Sequence, residues 1–302
     1  MISSTVVKTL EEWIPTENIF REEPMSRHTT FRIGGNADCL LQIENAEQLS
    51  KVKKYLKTLE IPYFVIGNGS NLLVSDEGYR GIILVVSEYM SDVKVEGNRI
   101  IAQAGALMSK IARVALEHGL TGFEFASGIP GTIGGGVVMN AGAYDGELKQ
   151  VVSLVKVIGE DGECLELDNE TMEFGYRTSA IKNTGFTAVE VQLDLQPGDK
   201  DTIKARMDEL TAKRREKQPL EYPSAGSTFK RPQGHFAGAL IMNAGLRGFQ
   251  VGDAQVSEKH CGFVINKGKA TAEDVLNLMA HVQKEVKEQF DVELEPEVIV
   301  LR

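Results

Sequence analysis

The chain has 302 residues, 42% of them hydrophobic and 25% charged, with a formal net charge of −10 at pH 7. That length holds two or three domains with cores of their own, and the balance is that of a globular protein. The acidic excess argues against a nucleic-acid or anionic-membrane surface, since both need a basic field.

Residues 1–26 are mixed and polar, with a helical turn or two around Val7, Leu10 and Ile14. His28-Thr29-Thr30-Phe31-Arg32-Ile33-Gly34-Gly35 reads as a short strand entering a tight glycine turn. Over 46–60, Leu49, Val52, Tyr55, Leu56 and Leu59 recur at helical spacing while lysines fill the other face. Pro62 stops that helix, and 63–66 reads as a buried strand. It delivers the chain into Gly67-Asn68-Gly69-Ser70-Asn71, followed by Leu72-Leu73-Val74 and, past a turn at 76–78, a strand at 81–86. GxGxxG fails here, because Leu72 stands where the third glycine belongs and no helix opens from the loop. Taken alone, the loop also reads as a hairpin connection built on Asn-Gly.

A strand at 99–104 leads into a helix at 107–118, with Ile111, Val114 and Ala115 on one face. Then comes FEFASGIPGTIGGGVVMNAG at 123–142, in which only 137–139 looks like ordinary core. Glycines are retained at this density where a positive φ or the absence of a Cβ is needed. Backbone N–H groups in such a turn form a concave anion site suited to a pyrophosphate; the alternative is a turn between two packed elements. Strands at 151–158 and 163–167 flank Gly159-Glu160-Asp161-Gly162, a hairpin signal. A strand at 187–195 alternates Val189, Val191, Leu193 and Leu195, and 199–217 is a charged amphipathic helix carrying Ile203, Met207 and Leu210. It ends in the basic cluster Lys213, Arg214, Arg215 and Lys217, which suits either the helix dipole or a diphosphate.

Pro219 and Pro223 bracket a linker, where a domain boundary is expected. Beyond it lie Gly226-Ser227-Thr228-Phe229-Lys230-Arg231-Pro232, an apolar helix at 238–245 and a strand at 261–265. Thr271-Ala272-Glu273-Asp274 is a capping box opening a helix to 290, with Val275, Leu278, Val282 and Val286 inward. A last strand at 292–301 sets Val292, Leu294, Val298 and Val300 against Glu293, Glu295 and Glu297 on opposite faces. The pattern is α+β, with two glycine-rich strand loops early and a separate C-terminal α/β lobe.

Cys39, Cys164 and Cys261 are widely spaced with no CxxC pair, which argues for a reducing compartment. Each reads as a small buried hydrophobe. His28, His118, His235, His260 and His281 show no HxH or HExxH spacing, so no metal is expected. Neither a signal peptide nor a membrane span is read from the chain, and a cytoplasmic location is the expectation.

Two glycine loops, each following a strand, can wrap one long ligand from two sides. A flavin dinucleotide is such a ligand; its pyrophosphate needs donors, and Asn68, Ser70 and Asn71 add side-chain donors to those of the backbone. HTTFRIGG, GNGSNLLV, GIPGTIGGGVVMNAGAYDGE, GYRTS (175–179), YPSAGSTFKRP (222–232) and LEPEV (294–298) resemble, in order and spacing, the motif set of the UDP-N-acetylenolpyruvoylglucosamine reductases. These flavoproteins share the vanillyl-alcohol-oxidase (VAO/PCMH) type of FAD-binding fold, and YPSAGSTFKRP is typical of the branch with the shorter substrate domain.

The resemblance implies an FAD-binding domain of two lobes, 1–90 and 91–217, and a substrate-binding domain at 218–302. It implies FAD as cofactor and NADPH as co-substrate, in the reduction of UDP-N-acetylglucosamine enolpyruvate to UDP-N-acetylmuramate for peptidoglycan synthesis. Hydride reaches the terminal alkene carbon and leaves an enolate-like intermediate. Catalysis is implied at Arg177, Ser227 and Glu297. FAD binding is implied at Gly67, Asn68, Gly69, Ser70, Asn71, Ser127, Gly128, Pro130, Gly131, Thr132, Gly134, Gly135, Asn140, Ala141, Gly142 and Arg214, and substrate binding at Lys217, Lys230 and Arg231. A serine hydroxyl is a weak acid that protonates only a strongly basic carbon, which suits an enolate; no GxSxG or adjacent histidine supports a hydrolase.

The chain departs from the family pattern in three places. Ala239 stands where many members have lysine, Ile299 where they have a basic residue, and Asp145 where AYGGE has glycine. The first two remove expected phosphate contacts, so a homologue with impaired catalysis is a competing reading. Another is an FAD oxidoreductase of the same fold acting on a sugar or alcohol. The partner expected is a small UDP-sugar rather than nucleic acid or membrane, with the protein a monomer or weak oligomer.

Overall fold

The computed structural model describes residues 2–302. The chain divides into two compact units, each assembled from separated stretches: Met1–Arg21, Cys39–Asn68 and Gly81–Lys213 form unit 1, and Glu22–Asp38, Gly69–Arg80 and Arg214–Arg302 form unit 2.

The centre of unit 1 is a five-stranded antiparallel sheet with spatial order Cys164–Asp168, Val152–Ile158, Thr187–Asp194, Arg99–Gln103, Val93–Glu96. Strand alternation explains its two faces. Val155, Val157, Val191, Leu193, Ile100 and Ala102 point into the core, whereas Lys156 stands opposite both Glu166 and Glu190 and pairs with Glu190 at 3.0 Å. Gly162, at φ +79°, turns the tight hairpin between the first two strands of that order, as the Gly-Glu-Asp-Gly signal predicts. The helix Ala46–Thr58 begins where Asn45 accepts from the Gln48 amide at 2.9 Å, and it buries Leu49, Val52 and Leu56. Lys53, expected on the outer face, is completely buried. Its ammonium donates to the Ile158 carbonyl at 2.7 Å, the Gly185 carbonyl at 2.6 Å and Thr187 Oγ1 at 3.0 Å, so its three protons all have acceptors.

In unit 2, the antiparallel strands Ser224–Ser227, Phe263–Asn266, Ala254–Val256 and Gln250–Val251 lie side by side. The helices Ala237–Asn243 and Ala272–Phe290 supply Leu240, Ile241, Val275, Leu278, Val282 and Val286 to a core that also holds Phe31, Ile33 and Leu73. The capping box at Thr271 forms as predicted. Asp76 reinforces it by accepting from the Ala272 and Glu273 amides at 2.8 and 3.0 Å.

Several expectations are corrected. Residues 28–33 form no strand: Arg32 sits at φ +58°, Thr29 Oγ1 donates to the Ile33 carbonyl, and the strand comes later, at Asn36–Gln42. Gly67–Asn71 is not a hairpin, because Tyr63–Ile66 pairs in parallel with Tyr79–Val85 while Leu72–Val74 pairs in parallel with Ile299–Leu301. The last strand shrinks from 292–301 to Ile299–Leu301. Residues 292–298 keep the apolar alternation, with Leu294 and Val298 buried, yet they pair only through the isolated bridge of Pro296 with Phe229, and the continuous ladder is confined to Ile299–Leu301. Tyr63–Ile66 is half-buried except at Ile66, and Cys164 is exposed on an outer strand, unlike Cys39 and Cys261. Among the described residues, no helix is long and apolar enough to cross a membrane.

Candidate active site

In unit 1 the start of the first glycine loop, Gly67 and Asn68, meets the second. The stretch 123–142 contains a short helix the sequence reading missed, Ile133–Val138, opened by Thr132, whose Oγ1 accepts from the Gly135 amide at 3.4 Å. Its glycines answer neighbouring protein atoms in part. A Cβ on Gly134 would stand 2.8 Å from Ala104 Cβ, and one on Gly136 would stand 2.9 Å from Leu148 Cδ1. A Cβ on Gly67 would stand 2.2 Å from Thr132 Oγ1, and Asn68 Nδ2 donates to the Pro130 carbonyl at 2.6 Å. Gly135 differs, since its missing Cβ would face nothing nearer than Thr132 Oγ1 at 3.6 Å.

Ser127 supplies the clearest test of whether this cradle fits a dinucleotide. Its Oγ is buried and has no hydrogen-bond partner in the protein. A buried hydroxyl left unpaired costs about 1–3 kcal/mol, which a polar ligand recovers. An orphaned donor beside glycine backbone without a Cβ fits the phosphate-bearing part of FAD. Asn140 and Ala141 behave otherwise: the Ala141 amide donates to the Gly136 carbonyl at 2.9 Å, and the side chain of Asn140, only 2% exposed, is engaged by protein groups at every polar atom. Gly142 packs against the hairpin that follows, a Cβ there lying 2.6 Å from the Gly146 carbonyl.

Arg177 sits at the tip of a tight turn in which the Gly175 amide donates to the Thr178 carbonyl at 3.1 Å and the Thr178 amide returns a bond at 3.4 Å. Its φ of +57° is left-handed, a conformation that costs a residue with a Cβ on the order of 1 kcal/mol. The turn is braced by Lys182 Nζ, which donates to the Arg177 carbonyl at 3.1 Å, and by Ser179 Oγ, which donates to the Val138 carbonyl at 3.0 Å. The guanidinium lies 5.3 Å from the Tyr176 ring, and Nη2 reaches toward the Gly142 carbonyl at 3.5 Å.

In unit 2, the segments that carry Ser227 and Glu297 pair through their backbones although far apart in the chain. The strand Ser224–Ser227 bulges at Gly226, φ +74°, before Ser227 pairs with Phe263. The Glu297 amide donates to the carbonyl of Thr228, the residue after Ser227, at 2.8 Å. Thr228 is fixed in turn by its amide on the Gly262 carbonyl and by its Oγ1, which accepts from the Val264 amide at 2.9 Å. Asn71 completes the brace, its Nδ2 donating to the Glu297 carbonyl at 3.0 Å and its own carbonyl accepting from the Ile299 amide at 2.9 Å. Gly69, at φ +57°, has no room for a Cβ beside the His28 carbonyl, and Thr30 Oγ1 donates to the Ser224 carbonyl at 2.7 Å.

The cations differ in their engagement. Lys230 holds Glu295 at 2.8 Å and keeps that carboxyl below its ordinary range, and the two residues also share a backbone bond at 2.9 Å. Arg231 lies 4.0 Å from the Phe236 ring centre, and its Nε donates to the His235 carbonyl at 3.3 Å. Arg214 and Lys217 stand in the last turn of the helix Lys200–Lys217, with Lys217 exposed. Sequence reasoning missed Lys182, Glu147 and Thr30, which support the expected site residues from behind; nothing in their spacing marks them.

Residues 218–301 match the C-terminal domain model of UDP-N-acetylenolpyruvoylglucosamine reductase, and residues 37–168 match an FAD binding domain. A UDP-N-acetylenolpyruvoylglucosamine reductase of Clostridium perfringens is 51% identical over 294 residues, covering 97% of this chain and 96% of that one. The enzyme of that name from Caldanaerobacter subterraneus subsp. tengcongensis is 50% identical, with 99% of both chains covered. The crystal structure of the reductase from Thermus caldophilus superposes with a TM-score of 0.81 at 36% identity, covering 93% of this chain and 98% of the other. With an FAD-binding domain ahead of this C-terminal domain and near-complete coverage of such relatives, the chain belongs to the UDP-N-acetylenolpyruvoylglucosamine reductase family.

Proposed function

We propose that the protein reduces the enolpyruvyl ether of UDP-N-acetylglucosamine to UDP-N-acetylmuramate with electrons from NADPH, a cytoplasmic step of peptidoglycan precursor synthesis. The observation that carries the chemical assignment is the backbone bond from Glu297 to the residue after Ser227. It fixes the segment that carries the Glu297 carboxylate against the strand that ends at Ser227, a weak acid. FAD, when bound, supplies hydride to the alkene after accepting it from NADPH. Gly67, Asn68, Ser127 and the glycines to Gly135 hold its phosphates with N–H and O–H donors, Gly69, Ser70 and Asn71 extend that set, and Arg214 adds a cation.

Arg177 binds the substrate carboxylate and stabilises the charge that grows on it as the double bond is reduced, the kind of preorganised term that is usually the largest in such reactions. Ser227 gives its proton to the carbon that carries the ether oxygen. Glu297 hydrogen-bonds the substrate or returns a proton to Ser227. Lys217, Lys230 and Arg231 answer the diphosphate, Lys230 by exchanging Glu295 for a phosphate oxygen. The partner is a small anionic sugar nucleotide, and the acidic surface opposes nucleic acid. The protein acts as a monomer or weak oligomer.

The test is a pair of half-reactions on the purified yellow protein. NADPH bleaches the flavin absorbance, and the enolpyruvyl ether restores it. Ser227→Ala leaves bleaching intact and slows restoration by about 10²–10⁴-fold, the usual worth of a positioned proton donor. Restoration at wild-type speed in that variant, or bleaching that only oxygen reverses, defeats the proposal.

A further inference from the structure

We infer that Asn140 is a positioning residue for Arg177, acting through the Gly175 carbonyl rather than by touching cofactor or substrate. This rests on the reading above that Arg177 serves the reduction. Asn140 is itself left-handed at φ +42° and buried. One amide proton goes to Glu147 Oε2 at 3.0 Å and the other to the Gly175 carbonyl at 3.1 Å, while Oδ1 accepts from the Lys149 amide at 2.9 Å. The backbone amide points to the Val137 carbonyl at 3.5 Å. A side chain whose two donors are both spent on protein has none to offer a ligand.

The position of Asn140 gives those bonds their meaning. Gly175 opens the turn that carries Arg177, and its carbonyl also closes that turn by accepting from Thr178. Arg177 occupies the left-handed position of the turn, where glycine is the ordinary choice. Such a conformation persists only when its surroundings over-determine it. Asn140 ties the near side of the turn, Lys182 the Arg177 carbonyl, and Ser179 the far side. Asn140 is held in turn by Glu147, whose carboxylate also accepts the Gln150 amide in a capping box, and by Lys149. The hairpin is thereby linked through the Asn140 amide to the turn that carries Arg177.

Asn140→Asp is the discriminating variant. It tolerates the same backbone conformation and keeps the acceptor for Lys149. It removes both donors, however, and sets a carboxylate against Glu147 and the Gly175 carbonyl. Hydrogen exchange of the 175–180 amides, measured without substrate, rises about tenfold, the equivalent of one lost brace. FAD affinity and bleaching by NADPH stay within about twofold of wild type, while flavin restoration by the enolpyruvyl ether slows about 10–100-fold, as displacement of a catalytic group does. That defect shrinks as pH is lowered from 8 toward 5.5, because the carboxyl introduced by N140D donates again once it is protonated.

Asn169→Asp is the control. Asn169 Nδ2 donates to the Lys149 carbonyl at 2.9 Å and the Val152 carbonyl at 2.7 Å, a comparable brace one step behind Asn140, with no direct bond to the turn at 175–178. It lowers stability and leaves the 175–180 amides and the restoration rate as in wild type. If N140D does not fold, Glu147→Gln, which weakens the anchor behind Asn140, is read by the same amides, with a rise of about 2–5-fold.

Unchanged exchange at 175–180 in N140D overturns the inference. So does FAD binding that falls in step with restoration, which makes Asn140 a cofactor ligand, or an equal effect from N169D, which makes the defect general loosening. Failure of wild-type protein to be restored by the enolpyruvyl ether sinks the functional reading instead, and leaves the exchange result to judge the brace.

Discussion

Gly67→Ala probes the contact on which the cradle of unit 1 depends. The added Cβ falls 2.2 Å from Thr132 Oγ1, 3.1 Å from Cγ2 and 3.2 Å from Cβ, so Thr132 has to give way by roughly 1 Å. Thr132 Oγ1 is also the cap of the helix Ile133–Val138 through the Gly135 amide. Losing that cap costs about 1 kcal/mol, and the forced shift of backbone adds about 1–3 kcal/mol, so the variant loses about 2–4 kcal/mol. Thr132→Ala alone loses only the cap, about 1 kcal/mol. In its background the new Cβ faces a methyl at 3.2 Å, a contact relieved by a few tenths of an ångström. The double variant therefore loses about 2 kcal/mol, less than the two single losses added together, a coupling of about 1–3 kcal/mol between neighbours. Urea unfolding of the four proteins without added flavin measures the cycle. Flavin titration by fluorescence quenching shows whether affinity falls with the cradle. Additive losses refute the reasoning, since they place Gly67 and Thr132 out of contact.

Other outcomes follow from single features. Burial pushes the Lys53 ammonium down to about 8, against the pull of Glu160 and Glu163. The unfolded chain keeps that proton up to about 10.4, so unfolding takes up a proton between these values and stability gains up to about 3 kcal/mol as pH rises through the window. Lys53→Met strands the Ile158 and Gly185 carbonyls, costs about 1–3 kcal/mol at pH 7, and flattens that rise in a series of melts from pH 7.5 to 10. Asp76→Ala frees two amides at the start of the helix Ala272–Phe290 and lowers stability by about 1–2 kcal/mol, whereas Asp76→Asn recovers part of it. Asp145→Gly relieves a left-handed residue, φ +66°, in the turn after Ala143 and raises stability by about 0.5–1 kcal/mol in the same melts. Arg99→Ala removes an exposed pair with Asp194 at 2.6 Å and shifts stability by no more than about 1 kcal/mol.

The long helices were legible because each carries its own evidence. Thr271 and Asp274 cap one, Asn45 precedes another, and apolar residues recur on one face of both. The helix Ile133–Val138 was not legible, because Gly134, Gly135 and Gly136 oppose a helix on intrinsic preference. Thr132 caps it, and Ala104 and Leu148 crowd two of the glycine positions until only glycine fits, a tertiary demand that explains the residues which hid the helix. Lys53 misled for a similar reason: its spacing puts it among exposed lysines, and only the carbonyls at Ile158 and Gly185 explain its burial. The alternation at 292–298 was visible while its reduction to a single bridge with Phe229 was not. Ser227 and Glu297 share no period at all. Resemblance selected them, and the pairing of Thr228 with Glu297 supplies the physical link.

The parallel pairing of Leu72–Val74 with Ile299–Leu301 sets the order in which the molecule can mature. Closing a loop that joins Leu72 to Ile299 costs about 5 kcal/mol of chain entropy, against under about 2 kcal/mol for the hairpin that joins Ile158 to Cys164. Local ladders in unit 1 therefore form while Leu72–Val74 still waits for a neighbour from the far end of the chain. On a ribosome that neighbour emerges about 225 residues after Val74, so the edge of Leu72–Val74 stays exposed to wrong pairing throughout that stretch of synthesis.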